Sequence, residues 1–181
     1  MSSAGFRSNL FIHSLILSNH DHTPEQFQLF FSKFHLERLT QLYSITLIDM
    51  EHQIVLKFID LLKDVNHCPH LQSLKISSEL YSYSKLPQKL LKNICSRPLK
   101  RLEINEANLL DIFQLVHVQV LTIHNCSVRH FEDILRSIPT LVSFKIKNLY
   151  EYEDRLLPIH QVPIGLKRLV LNLGKIFKRK I

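Results

Sequence analysis

A six-residue pattern recurs along the chain: one apolar position, two variable positions, an apolar position, one variable position, and a last apolar position. It occupies residues 12–17, 42–47, 71–76, 99–104, 118–123, 141–146 and 166–171. The central apolar residues are Leu15, Ile45, Leu74, Leu102, Leu121, Phe144 and Leu169, separated by 30, 29, 28, 19, 23 and 25 residues. Within each copy the last two apolar positions are two apart, the spacing that puts side chains on one face of a β-strand. Seven strands at intervals of this length predict a repeating unit, one strand per repeat. Because each strand is returned by a connection long enough for a helix, the strands should lie parallel.

Helical signals fall between the copies. Thr23 can cap a helix whose first residue is Pro24, with Gln26 closing a capping box. Phe27, Phe30, Phe31 and Phe34 then follow on one helical face. A second stripe comprises Ile54, Val55, Phe58, Ile59, Leu61, Leu62 and Val65, a shorter third Leu90, Leu91 and Ile94, and a fourth Phe131, Ile134, Leu135 and Ile138. These stripes are expected to pack into a core. The 19-residue interval has room for about two helical turns, over 108–115. The segment 150–165 contains Pro158 and Pro163 and is expected to be mostly loop.

The period and the pattern together resemble the leucine-rich-repeat superfamily, over residues 10–173. Residues 118–126 fit the longer form L-x-x-L-x-L-x-x-C, with Cys126 at the position the family fills with Asn or Cys. His67-Cys68-Pro69-His70-Leu71 is similar to the C-P-x-L phrasing of repeats in F-box proteins, and Ile138-Pro139-Thr140-Leu141 echoes it. Met50, Glu79, Ala107, Leu149 and Gly174 hold the Asn/Cys position in other copies, so the asparagine ladder is largely missing. The resemblance implies an α/β fold: a horseshoe solenoid of about seven repeats, with the parallel sheet on the concave face and helices and loops on the convex face. Residues 1–9 are then an N-terminal extension and residues 174–181 a basic C-terminal tail.

Composition narrows the function. The 181 residues include only three Gly, which nearly excludes Gly-rich phosphate loops, and no G-x-S-x-G or H-E-x-x-H motif occurs. We therefore expect a non-enzyme without a cofactor. His20-Asp21-His22 and His67-Cys68-Pro69-His70 have metal-capable side chains but neither has a partner pair at zinc-site spacing, so no metal is expected. Cys68, Cys95 and Cys126 are isolated and odd in number, which suits buried thiols in a reducing compartment, cytoplasmic or nuclear. The apolar stretch 10–17 is interrupted by His13 and Ser14 and fits a strand better than a signal peptide; no apolar run has the length of a membrane helix.

The formal net charge of +7 permits an acidic partner. Strand positions facing away from the core should be Ser14, Ile16 and Ser18; Ser44, Thr46 and Ile48; Ser73, Lys75 and Ser77; Arg101, Glu103 and Asn105; Val120, Thr122 and His124; Ser143, Lys145 and Lys147; and Arg168, Val170 and Asn172. The N-terminal half of this face is small and neutral, and the C-terminal half gathers the cations. The expected partner-binding residues are Ser73, Lys75, Arg101, Glu103, Thr122, His124, Ser143, Lys145, Lys147 and Arg168. The leading expectation is a protein-binding scaffold. The resemblance implies a narrower role as the substrate-recognition part of an F-box-type ubiquitin ligase, although no F-box segment precedes the first copy. The alternatives are nucleic-acid binding through the basic half and tail, and a structural role through self-association.

Overall fold

The computed structural model describes residues 12–19, 29–30, 32, 39–62, 68–78, 98–110, 115–150 and 162–173. The fold is α/β, built on one seven-stranded sheet that is parallel throughout, with strand order equal to chain order. The strands are β1 (Ser14–Ser18), β2 (Ser44–Ile48), β3 (Ser73–Ser77), β4 (Arg101–Glu106), β5 (Val120–Ser127), β6 (Ser143–Tyr150) and β7 (Arg168–Leu173). Each copy of the six-residue pattern supplies one strand, and the central apolar residues align: Leu15 with Ile45, Ile45 with Leu74, Leu74 with Leu102, Leu102 with Leu121, Leu121 with Phe144, and Phe144 with Leu169. Equivalent positions thus stack across intervals that differ by up to eleven residues. The loops absorb the length differences, since a register slip of one residue would turn the whole apolar set to the wrong face.

Hydrogen bonding repeats with the same regularity at the strand entrances. The carbonyl just before each strand accepts two N–H groups from the next strand's entrance: His13 O from Tyr43 and Ser44, Tyr43 O from Gln72 and Ser73, and Gln72 O from Lys100 and Arg101. Lys100 O, Gln119 O and Val142 O continue the series to Lys167 and Arg168. A tight turn precedes five of the strands, with the amides of Leu42, Leu71, Val118, Leu141 and Leu166 donating to the carbonyls of Leu39, Cys68, Leu115, Ile138 and Pro163. Leu39, Cys68, Leu115 and Ile138 are buried, so the apolar pattern has a fourth position three residues ahead of its first. Cys68 adopts φ 55° there, a left-handed conformation uncommon for a non-glycine residue.

One face of the sheet carries the core. Leu15, Leu17, Ile45, Leu47, Leu74, Ile76, Leu102, Ile104, Leu121, Ile123, Phe144 and Ile146 are all buried in a single cluster. Helix α1 (His52–Leu61) adds Val55, Phe58 and Ile59 to it, followed by Leu62. Helix α2 (Val128–Ser137) adds Phe131, Ile134 and Leu135, with Ile138 just beyond. The Phe131 ring stacks on Phe144 with centroids 5.7 Å apart, which places α2 directly over β6. Ser127 caps α2 by accepting the His130 N–H. After β4 a 3-10 turn runs over Ala107–Leu109; residues 111–114, within the two helical turns expected over 108–115, lie outside the described residues. β6 extends to Tyr150, the first residue of the loop expected over 150–165, of which residues 151–161 lie outside the described residues. Of the first aromatic stripe only Phe30 is described, packed against the core. Phe27, Phe31 and Phe34, the stripe at Leu90, Leu91 and Ile94, the extension 1–9 and the tail 174–181 lie outside the described residues.

Candidate functional site: the open face of the sheet

Both described helices join the core cluster, and among the described residues no element covers the opposite face of the sheet. That face carries the alternate strand positions. On β1 and β2 it is neutral, and Ile16 is 63% exposed on it. From β3 onward it becomes charged, and the expected partner-binding residues divide into three groups.

Four of them converge. Glu103 on β4 is the hub, with a single carboxylate oxygen, Oε1, receiving three neighbours. Lys75 on β3, its register partner, approaches to 3.3 Å, His124 Nε2 on β5 to 2.9 Å, and Lys147 on β6 to 3.4 Å. Lys147 Nζ also lies 2.7 Å from His124 Nε2. The His124 hydrogen bond and the two ammonium groups outweigh the cost of partial burial and hold the Glu103 carboxyl down at about 2. This carboxylate is therefore ionised across the physiological range, and it neutralises part of the positive charge that the sequence alone assigns to the face.

Arg101, Lys145 and Arg168 form the second group. All three are exposed, and no described residue forms an ion pair with them. Arg101 and Arg168 belong to the same row across the sheet, through Val120 and Ser143, and Lys145 lies in the next row, beside Val170. With strands about 4.8 Å apart, Arg101 and Arg168 are about 14 Å from each other. Ser73, Thr122 and Ser143 make up the third group, short hydroxyl residues in the same rows as the charges: Ser73 and Ser143 in the row of Arg101 and Arg168, and Thr122 between Glu103 and Lys145.

Asn105 departs from expectation. It is buried, not outward, because its amide is used internally: Nδ2 donates to Ser78 O at 2.6 Å and Oδ1 accepts the Ser78 N–H at 3.3 Å. The β3–β4 ladder stops at Lys75 and Glu103, and Asn105 replaces the missing backbone rungs. A second polar feature was not evident from the motif. Asn125 Nδ2 donates to Glu106 Oε1, and Asn148 Nδ2 donates to Asn125 Oδ1, so three in-register residues form a ladder across β4, β5 and β6. It lies one position ahead of the expected Asn/Cys column, whose described members Met50, Ala107, Cys126 and Leu149 are all buried. The usable signal was a polar residue immediately before each of Ala107, Cys126 and Leu149. Burial raises the Glu106 carboxyl, and the Cys126 thiol is pushed up to about 12 by burial and by Glu106.

A shallow depression of about 580 Å³ lies at the strand entrances of β1 to β3, lined by His13, Gln41, Tyr43, His70 and Gln72, with Tyr43 Oη donating to Gln72 Oε1. Among the described residues no group of three His, Cys, Asp or Glu side chains could hold a metal ion, and no helix is long and apolar enough to cross a membrane. His20, Asp21, His22 and His67 lie outside the described residues. No protein-family model, curated protein or solved structure matches the chain.

Proposed function

We propose that the chain is a leucine-rich-repeat solenoid whose sheet forms the concave face of a horseshoe, and that it is a non-catalytic scaffold that holds an acidic protein surface on that face. The observation that carries this reading is the one-sided sheet: seven in-register strands bury one set of alternate positions and leave the other set uncovered by any described element. The exposed set is not uniform. Its cations with no ion pair to a described residue, Arg101, Lys145 and Arg168, lie at the β4–β7 end, where they would raise the association rate and fix the register of a partner carrying carboxylates. Hydroxyls between them can donate hydrogen bonds to the same groups. The phrasing at Cys68-Pro69 supports the narrower role of substrate recognition in an F-box-type ligase, in the cytoplasm or nucleus.

The decisive experiment is affinity capture from cells with the native chain and with Arg101, Lys145 and Arg168 all reversed to Glu. The native chain should recover a defined protein partner, with a ligase adaptor in the same eluate under the narrower reading, and the reversed chain should lose that partner while keeping its melting temperature. A partner retained at equal yield by the reversed chain would remove this face from the interface. Filter binding to mixed RNA at two salt concentrations separates the nucleic-acid alternative, which requires steep salt dependence.

A further inference from the structure

The contacts of His124 pose a conflict that only a proton can resolve. One ring nitrogen, Nε2, faces a carboxylate oxygen at 2.9 Å and an ammonium nitrogen at 2.7 Å. A neutral imidazole nitrogen either carries a hydrogen or accepts one. With Nε2 bare and the hydrogen on Nδ1, Lys147 donates to Nε2, and the lone pairs of Nε2 and Glu103 Oε1 face each other. With Nε2 protonated, it donates to Glu103, and its N–H points into the Lys147 ammonium. The two bonds through Nε2 exclude one another.

We propose that His124 is a proton gate on the open face, which releases Lys147 toward a partner's carboxylates when the ring is protonated. This rests on the docking role above. At the alkaline end Lys147 is held inward by donating to Nε2. One proton taken from solvent onto the ring fills both nitrogens. Nε2–H then bonds Glu103, the Lys147–Nε2 bond is lost, and the imidazolium repels the ammonium, which keeps only its longer 3.4 Å contact with the same Glu103 oxygen that the imidazolium now occupies. Lys147 is 40% exposed and has open solvent beside it. It is two residues from the exposed Lys145 on the same face of β6, so the released pair forms a two-ammonium cradle about 7 Å across. The surroundings of the ring are Lys75 on β3, Glu103 and Glu106 on β4, and Lys147 on β6. Glu103 is held ionised by its three neighbours, so the proton that changes the contacts at Nε2 goes onto the ring and not onto the carboxylate. Protonation adds one unit of positive charge to the cluster at the moment a second one becomes mobile.

Two measurements on the full chain test this. Ring nitrogen NMR, with the His124 signals assigned from their loss in His124→Gln, should show the neutral ring with a bare Nε2 and a protonated Nδ1, and both nitrogens protonated in acid. A neutral ring that keeps its hydrogen on Nε2 overturns the gate, because Lys147 is then never held by it. Binding of poly-L-glutamate should strengthen about three- to fivefold between pH about 8 and about 5.5, the effect of one extra ion pair at a surface, and His124→Gln should lose that gain. Equal gains in both proteins overturn the gate and leave the docking face standing. A ring that switches as described, with no polyglutamate binding at either pH, overturns the docking face itself.

Discussion

At the scale of single residues, Glu103 shows how context changes what a charge means. In the sequence it is the lone acid among cations; in the fold one of its oxygens receives two of them, Lys75 and Lys147, together with the His124 ring. Its carboxyl sits near 2, below the ordinary value of 4.5. A depressed carboxylate stabilises the native state above the unfolded-chain value and loses that contribution as the pH falls from about 4.5 toward 2. The lysines are partly solvated, so the contribution is about 1–2 kcal/mol rather than the full value of the shift. Glu103→Gln should therefore lower unfolding free energy by about that much at pH 7 in low salt, and by much less near pH 2. Urea melts at the two pH values would show it, and an equal deficit at both would contradict the ionic origin. Cys126 offers a second test at this scale. With its thiol raised to about 12 and fully buried, it should resist alkylation in the folded chain at neutral pH, as should buried Cys68. Rapid labelling of either without denaturant would place it outside the core.

At the scale of elements, strands were more legible than what joins them. A period of two with aliphatic residues at fixed offsets specifies a strand and its inward face at once, so all seven cores and all six registers could be predicted from Leu15, Ile45, Leu74, Leu102, Leu121, Phe144 and Leu169. The stripe at Phe131, Ile134 and Leu135 was equally clear from its helical spacing alone; the Ser127 cap that bounds it is seen only in the fold. Ser127→Ala should cost about 0.5–2 kcal/mol through that cap, measurable by chemical denaturation, with the loss confined to α2 amides in hydrogen exchange. Asn105 lies inward, against the outward position that period-two alternation gives it, because that alternation assumes a regular strand: β4 leaves the β3 ladder after Glu103, and the Asn105 side chain takes over the role of the backbone. Nor could the pairing of Lys75 and Lys147 with Glu103 be read from the chain, since it depends on side chains from three separate strands reaching one oxygen.

At the scale of the whole molecule, strand order equal to chain order means that each strand is held by its sequence neighbours alone. Stability should then be distributed along the stack and weakest where a strand has one neighbour. The C-terminal end shows the expected structural signature. Leu121 and Ile123 in β5 are fully buried, whereas Leu169 and Leu171 in β7 are only partly covered and Leu173 is 71% exposed. Burying a leucine side chain completely is worth about 2 kcal/mol, and removing it from a packed site costs more because a cavity remains. Leu121→Ala should accordingly cost about 2–5 kcal/mol, with Leu102→Ala in the same range, while Leu171→Ala should cost about 1 kcal/mol or less. The same gradient should appear in native-state hydrogen exchange, with β5 and β6 amides opening only on global unfolding and β7 amides opening through a local, low-energy fraying. Because Arg168 lies on that fraying strand and Arg101 on a stable one, a bound acidic partner should slow β7 exchange more than β4 exchange. Uniform protection along the stack in the free chain would mean that the seven strands unfold as one unit, and the docking face would then be rigid from end to end.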